Sequence, residues 1–428
     1  MHDEVRIDRR KFLGAAAGVA GAAALGTWSP WAESRPNGPN GPIVTKGTLG
    51  IQHFSVRDAT DRPASTEAGA IRGYLGGPNF PEDPTDLGPL VPLPGGFPEV
   101  FQYLSSVGVG GFEFFRFTQA QFPDADARSR PSIEQIRKWL DDAGMKSFGT
   151  HTGGVNLTNP ASGSGRAQIG IARTLGHTLI GTAGDATGNL MYSNTRDAWL
   201  EAAETFNAAG EWLKREGIQL FFHPEGTWWT FFNDPAHPEL SNTNKIDFFA
   251  ANTDPRLVNF QIDTYHMYNN RGARPYADGS LWDAEAFVKR NWKRLVGYHV
   301  KDANRVNPTP APPGNVFTQT AARTGFPLNG GVDAIYSLEG HIGKGYPADP
   351  GSTAPGARPG PDPDVIGFRR FFTEVRSTRS RGFRYHIIES DSGPGPYDAT
   401  KPFTDPSQDP GRSLRLAKVS ARNLLALK

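Results

Sequence analysis

The chain has 428 residues, a formal net charge of +1, 37% hydrophobic and 21% charged residues, and no cysteine. This composition is typical of a globular protein, and the near-neutral charge argues against nucleic acid as a partner, because there is no excess of basic residues to bind phosphates. Glycine and proline are abundant, with 50 and 36 residues, which predicts long, irregular connections between the regular elements.

The N-terminus has the features of an export signal. An arginine pair stands in the sequence DRRKFL, and an apolar run of small residues follows from Gly14 to Gly26. This order is typical of a twin-arginine signal peptide, and the apolar run is too short to span a membrane. We therefore assign residues 1–32 to the signal and the Pro/Gly/Asn-rich residues 33–46 to a linker. The expected location is periplasmic or extracellular, and the lack of cysteine fits a protein that folds in the cytoplasm before export.

From residue 47 onward, apolar runs alternate with amphipathic stretches. The apolar runs predict strands, and the stretches with helical periodicity predict helices. The predicted strands span 48–56, 110–117, 145–153, 177–184, 218–226, 257–266, 294–302 and 383–391. The predicted helices span 98–108, 132–143, 163–175, 195–216, 242–251, 283–291, 365–377 and 413–427. Ser132, followed by Gln135 three residues later, is a helix-start signal of the capping-box type.

Eight strands that alternate with eight helices predict parallel strands, because each helix returns the chain to the start of the next strand. We therefore predict an α/β fold, a (β/α)8 TIM barrel over residues 47–428. Two stretches rich in glycine and proline, 59–95 and 303–362, are predicted as long loop insertions after strands 1 and 7. A doubly wound open sheet is less favoured, since no glycine-rich phosphate-binding turn follows the first strand.

Residues with metal-ligand or acid–base side chains stand at the ends of several predicted strands. The carboxyl ends of the strands form the active-site face of a TIM barrel. The candidates are Glu113, His151, His223, Glu225, Asp263, His266, His299, Asp302 and Glu389. A mixed set of imidazole and carboxylate ligands suits a divalent Mn, Zn, Co or Fe ion better than Ca or Mg. Such an ion would polarise a carbonyl and ease removal of a proton from the adjacent carbon.

Several motifs, in this order, resemble the sugar phosphate isomerase/epimerase superfamily, the xylose-isomerase-like TIM barrels. They are GIQHFSVRD, THTG, DTYHM, HVKDA and IIESD, and the resemblance covers roughly residues 47 to 428. It implies a divalent metal held by four ligands from strands five to eight. It places Asp263, His299 and Glu389 among these ligands, and His266 beside Asp263 as a substrate contact.

The fifth strand departs from the family pattern. It ends in His223-Pro224-Glu225, where relatives often carry Glu-Pro or His-Asn-His. In a strand, His223 and Glu225 point to the same face, so either is predicted as the fourth ligand. Epimerases of the family use glutamates on strands five and eight as an acid/base pair, so the resemblance implies Glu225 and Glu389 as catalytic residues.

Four further residues are candidate contacts for the substrate: His151, His266, Lys301 and Trp228. Lys301 would neutralise a developing oxyanion, and Trp228 belongs to an aromatic run that would stack on sugar C–H faces. Each has a structural alternative, namely ion pairing for the lysine, packing for the tryptophan and hydrogen bonding for the histidines. In the same way, Asp263 is compatible with a helix N-cap.

These observations predict a metal-dependent isomerase or epimerase that acts on a small carbohydrate by proton abstraction next to a polarised carbonyl. Export argues for a non-phosphorylated sugar or sugar derivative. The alternative is a lyase on a keto-sugar or keto-glycoside, or an inosose-type dehydratase, because the unusual fifth strand fits a changed acid/base pair. An endonuclease on abasic DNA is disfavoured by the near-neutral charge, and a non-catalytic sugar-binding protein by the full ligand set. A homo-oligomer is compatible with the sequence.

Overall fold

A computed structural model provides the coordinates of the chain. It describes residues 42–61, 70–72, 90–92, 94–115, 131–152, 159, 161–183, 187–270, 282–301, 368–377, 385–390 and 411–427. The predicted signal peptide, most of the predicted linker, Asp302 and the predicted insertion 303–362 lie outside the described residues.

Eight parallel strands form a closed barrel. In chain order they are β1 (Leu49–Gln52), β2 (Gly111–Phe115), β3 (Lys146–His151), β4 (Leu179–Thr182), β5 (Gln219–Phe222), β6 (Val258–Asp263), β7 (Leu295–Val300) and β8 (Tyr385–Ile388). Each strand pairs with the next along the chain, and β1 pairs with both β2 and β8, which closes the sheet. All eight predicted strands are present, so the predicted (β/α)8 TIM barrel is confirmed.

A longer helix follows each of these strands in the described part of the chain. The helices are α1 (Gly96–Ser106), α2 (Ile133–Asp142), α3 (Gly163–Leu175), α4 (Arg196–Arg215), α5 (Lys245–Asn252), α6 (Ala284–Arg290), α7 (Phe368–Ser377) and α8 (Arg412–Leu425). Ser132 caps α2, since its side chain accepts a hydrogen bond from the backbone N–H of Gln135. Gly176 ends α3 with φ at 76°, a left-handed conformation that glycine adopts without steric cost. Within the described residues, no helix has both the length and the apolar character that crossing a membrane requires.

Parts of the predicted first insertion have regular structure, and the end of the predicted linker is packed. Two short strands, Ala70–Arg72 and Leu90–Pro92, pair antiparallel and form a separate sheet. Val44 is buried in the main core, and the backbone N–H of Ile43 donates to the carbonyl oxygen of Leu427 at 3.0 Å. The end of the predicted linker is therefore packed with the barrel, because Val44 is apolar and finds apolar neighbours there.

The interior of the barrel is apolar at one end and polar at the other. The Phe148 ring stacks on Tyr385 with the ring centroids 3.8 Å apart. Phe221 belongs to the same apolar layer as Tyr385. Alternate residues of a strand point to the same side. Toward the carboxyl ends of the strands, the next interior side chains therefore include His223, two residues after Phe221, and Glu389, four residues after Tyr385. The apolar layer thus forms a floor beneath a group of polar residues.

Candidate active site

Four residues with metal-ligand side chains meet at the carboxyl end of the barrel. His223 directly follows β5, Asp263 is the last residue of β6, His299 lies in β7, and Glu389 directly follows β8. All four are buried, with at most 5% of the residue exposed. One nitrogen or oxygen atom from each lies within 4.8 Å of the corresponding atoms of the others. Four consecutive strands therefore bring two imidazoles and two carboxylates to a single point.

Two atoms of this group have unsatisfied hydrogen-bonding capacity. His223 Nε2 and Asp263 Oδ2 are buried and have no hydrogen-bond partner within the described residues, and they lie 3.9 Å apart. A buried polar atom without a partner costs about 1–3 kcal/mol, so such pairs are rare unless a ligand satisfies them. A divalent cation accepts lone pairs from both atoms, and this mixed nitrogen and oxygen set suits Mn, Zn, Co or Fe. The donor set therefore fits a divalent metal.

A positively charged side chain lies beside the two carboxylates of the group. The Lys301 ammonium is also buried, and its Nζ lies 3.8 Å from Asp263 Oδ2 and 3.9 Å from Glu389 Oε1. Burial raises the pKa of Asp263 well above its ordinary value even beside this lysine. Burial also opposes ionisation of Glu389, but Lys301 and His299 outweigh it and hold the pKa of that carboxyl well below its usual range. Lys301 thus favours the ionised form of both carboxylates, but burial is outweighed only at Glu389, where His299 also contributes.

The residues after β5 differ from the arrangement expected from the sequence. The strand was predicted to continue to residue 226, but it ends at Phe222, so the expectation that His223 and Glu225 share one face of a strand was wrong. His223 is fully buried, whereas the Glu225 side chain is 34% exposed, with its Oε1 3.3 Å from His223 Nε2. Pro224 lies between them and has no backbone N–H to continue a strand ladder. His223 joins the buried group of four, and Glu225 lies at its edge.

His266 lies next to Asp263, as the resemblance implied. It belongs to a short helix, Thr264–Asn270, and its backbone N–H donates to Asp263 Oδ1 at 2.8 Å. Its ring Nδ1 accepts a long hydrogen bond, 3.4 Å, from the backbone N–H of Gly226. Burial, with a further contribution from Lys301, lowers the pKa of His266 to about 3. The ring is therefore neutral at physiological pH and beside the group of four.

Comparison with known proteins identifies the family. The model of the xylose isomerase-like TIM barrel family matches residues 101–337, which is more than half of the chain. The chain belongs to this family. No curated protein matches the sequence.

Solved structures with the same fold include a sugar phosphate isomerase/epimerase from Parabacteroides distasonis ATCC 8503. It is 16% identical, with a TM-score of 0.50, and the match covers 89% of this chain and 96% of that one. A xylose isomerase-like TIM barrel protein from Mycobacterium smegmatis in complex with magnesium is 11% identical, with a TM-score of 0.42 and coverage of 90% and 99%. The probable 3-DHS dehydratase AsbF from Bacillus anthracis is 10% identical, with a TM-score of 0.43 and coverage of 88% and 97%. At these identities the likeness concerns the fold alone.

In this xylose isomerase-like barrel, a second polar layer lies between the group of four and the apolar floor. It contains Glu113 of β2, His151 of β3 and Gln261 of β6, all buried. His151, predicted as a substrate contact, lies here with its Nε2 2.5 Å from Gln261 Oε1 and 3.1 Å from Glu113 Oε1. Gln261 was not predicted as a site residue, although its position two residues before Asp263 on one strand places both on the same face.

Trp228 lies in a packed environment. The residue is 3% exposed, its ring centroid lies 5.3 Å from that of Phe222, and its indole N–H donates to the carbonyl oxygen of Met191 at 3.1 Å. Its other aromatic neighbour, Tyr192, is 52% exposed. The described contacts of Trp228 are thus packing contacts, and its role as a substrate platform stays a prediction.

Proposed function

We propose that this protein is a metal-dependent isomerase or epimerase that acts on a non-phosphorylated sugar or sugar derivative. The observation that carries the proposal is the pair of buried atoms without partners, His223 Nε2 and Asp263 Oδ2, inside a set of four ligand-type residues. The set lies at the carboxyl end of the barrel strands, where TIM-barrel enzymes have their active sites. Membership in the xylose isomerase-like family supports the same proposal.

The residues that would hold the metal are His223, Asp263, His299 and Glu389. When bound there, a divalent Mn, Zn, Co or Fe ion would polarise a sugar carbonyl and so acidify the C–H bond beside it. Glu225 does not belong to this buried group. Its partly exposed carboxylate lies at the edge of the site, 3.3 Å from His223, and we assign the role of general base to it.

Proton transfer in this proposal is carried out by side chains of the chain itself. Glu225 removes the proton from the carbon next to the carbonyl, and the Glu225 acid so formed returns it to the former carbonyl carbon while the hydroxyl proton passes between the two substrate oxygens. Lys301 is positioned to stabilise the negative charge that develops on the substrate oxygen, because its ammonium is buried and fixed beside two carboxylates. His266 would contact a substrate hydroxyl through its neutral ring. Glu389 was predicted to be the second acid/base residue; because it belongs to the buried group of four, we assign it to the metal instead.

The proposal of a non-phosphorylated substrate rests on the predicted twin-arginine signal. An exported enzyme meets free sugars and glycosides rather than the phosphosugars of the cytoplasm. The periplasmic or extracellular location is part of the same proposal. We also propose that the protein has no nucleic-acid partner, since +1 provides no electrostatic attraction for a polyanion.

A lyase or dehydratase acting on a keto-sugar, keto-glycoside or inosose is the second candidate. The observation that favours it concerns the residues after the fifth strand. His223 stands in the buried group where relatives often have a glutamate, and the nearby carboxylate, Glu225, lies at the edge. A site with one well-placed base suits abstraction of a proton followed by loss of a leaving group from the next carbon. In that reaction the C–H and C–O bonds break, a C=C bond forms, and the leaving group takes the proton.

Metal content and deuterium exchange test the proposal together. We expect the purified protein to contain about one divalent metal ion by elemental analysis, and Asp263→Ala and Glu389→Ala to lose most of it. Glu225→Gln is the matched control, which keeps the metal but exchanges deuterium from heavy water into candidate sugars about 10²–10⁴-fold more slowly. Exchange without elimination supports the isomerase, and release of a leaving group supports the lyase. Full metal content in both Asp263→Ala and Glu389→Ala would exclude the metal site.

A further inference from the structure

The second polar layer is organised around a single amide, that of Gln261. Its Oε1 lies 3.0 Å from His223 Nδ1 and 2.5 Å from His151 Nε2. Its Nε2 donates to Glu113 Oε2 at 2.5 Å. Because the amide nitrogen faces a carboxylate, the amide oxygen must face the two imidazoles. An amide oxygen can only accept, so both His223 Nδ1 and His151 Nε2 carry hydrogens.

Protonation at Nδ1 determines which nitrogen of His223 can bind a ligand. A neutral imidazole carries one hydrogen, so His223 Nε2 has a free lone pair. Nε2 is the buried atom that has no hydrogen-bond partner in the described part of the chain. Gln261 therefore turns this lone pair toward Asp263 and away from the floor of the barrel.

Glu113 acts on the other histidine of the group. Its Oε1 lies 2.6 Å from His299 Nε2, so the carboxylate accepts a hydrogen bond from that N–H. The opposite nitrogen, Nδ1, faces Glu389 Oε2 at 2.5 Å. Glu113 is held in turn by Gln261 through its second oxygen. One amide thus fixes His223 directly and His299 through Glu113.

We propose that Gln261 and Glu113 are positioning residues that set the tautomer and ring orientation of both histidine ligands. This inference rests on the proposed metal-dependent function. Neither residue belongs to the group of four itself, and both are buried with at most 1% exposed. Outer partners that orient ligating histidines commonly change metal affinity by about 10–100-fold when they are removed.

The test uses Co²⁺ as the probe and the full chain after chelation and dialysis. We expect Glu113→Gln and Gln261→Met each to weaken Co²⁺ binding about 10–100-fold and to change its visible absorption spectrum. In Glu113→Gln one acceptor oxygen becomes an NH2 group, so either the Gln261 amide hydrogens or the His299 N–H lose their acceptor. In Gln261→Met the acceptor for His223 is lost. The matched control is Ser147→Ala, which removes a different buried hydrogen bond, 2.6 Å to His177 Nδ1, and should leave affinity and spectrum unchanged.

The double variant Glu113→Gln/Gln261→Glu exchanges the carboxylate and the amide between the two positions. It tests the inference even where a single variant does not fold. It restores every donor–acceptor pair of the layer, so we expect its affinity and spectrum to return toward the parent values. Parent-like affinity and spectrum in both single variants, or a folded double variant that binds Co²⁺ as weakly as the singles, would overturn the inference. If the parent protein itself binds no Co²⁺, Zn²⁺ or Mn²⁺, the proposed function fails instead.

Discussion

Asp263 serves the fold and the candidate site with one oxygen each. Its Oδ1 accepts a hydrogen bond from the backbone N–H of His266 and caps the helix Thr264–Asn270. Its Oδ2 remains buried without a hydrogen-bond partner among the described residues and lies 3.8 Å from Lys301 Nζ. The two interpretations that the sequence left open, helix cap and metal ligand, are therefore compatible. The cap fixes the carboxylate in the orientation that a ligand requires.

At the scale of single residues, the testable prediction concerns Lys301. Its ammonium lies within 4 Å of Asp263 and Glu389, so it repels a cation bound by the same carboxylates. We expect Lys301→Met to bind Zn²⁺ or Co²⁺ at least as tightly as the parent protein, because that repulsion is removed. Deuterium exchange into the substrate should fall about 10²–10³-fold, because the developing oxyanion loses its partner.

Calorimetric metal titration and exchange rates followed by NMR check this expectation. Lys289→Met is the control, since Lys289 is half-exposed and forms an ion pair with Glu374 at 2.6 Å. That variant should leave both quantities unchanged. A Lys301→Met protein that had lost its metal would show that the lysine supports the ligands rather than the reaction.

Among the elements, the strands were predictable because each is a short apolar run with a polar residue at its end. β6 and β7, for example, end within a few residues of their predicted boundaries. The end of β5 was predicted four residues too late, because the chain turns out of the sheet after Phe222. Pro224, which cannot donate to a strand ladder, is the local signal for the earlier end. The position of Glu225 at the edge of the site follows from that turn.

The packing of β4 against β5 provides a prediction at the element scale. A Cβ added at Gly181 would lie 2.2 Å from the Phe221 ring, which is fully buried. We expect Gly181→Ala to lower the free energy of unfolding by about 1–3 kcal/mol or more, as overpacked cores do. Urea denaturation followed by circular dichroism measures the change.

Gly170→Ala is the matched control for this substitution. Gly170 lies in α3, and nothing lies within 4 Å of a Cβ added there. Alanine is favoured over glycine in a helix by about 1 kcal/mol, so this variant should be slightly more stable than the parent. Equal stability of the Gly181→Ala and parent proteins would mean that the barrel wall can widen at β5.

For the whole molecule, the site exists only when the barrel closes. The meeting of the candidate ligands at one end of the barrel was predictable from the sequence, because each stands at the end of a predicted strand. Their supporting contacts were not, since Glu113 and His299 are separated by 186 positions and Glu113 and Gln261 by 148. Nothing local in a glutamate or a glutamine indicates which distant side chain it will meet. Such pairings are a property of strand order and register.

The stability of the whole molecule should also depend on pH through histidines buried away from the candidate site. Burial is the main cause that lowers the pKa of His53 to about 4, and of His177 and His386 to about 3, from an ordinary value of 6.5. Below pH 6.5 the unfolded chain takes up protons at these positions and the folded chain does not. Each histidine therefore contributes stability that is fully present above its ordinary pKa and is lost as the pH falls toward its lowered pKa.

His386→Phe isolates one of these contributions. His386 packs against Phe372 with ring centroids 4.7 Å apart, so a phenylalanine ring suits the site and takes up no proton. As the pH is lowered from about 5.5 to 4.5, we expect the free energy of unfolding to fall more steeply in the parent than in the variant. The difference between the two slopes should be about 1.4 kcal/mol per pH unit. Urea denaturation in the presence of a chelator measures both slopes without the pH dependence of metal binding. Above about pH 7.5 the histidine is neutral in both the folded and the unfolded state, and the two slopes should coincide. Parallel slopes below pH 5.5 would instead show that His386 gains contact with solvent or with a further partner on acidification.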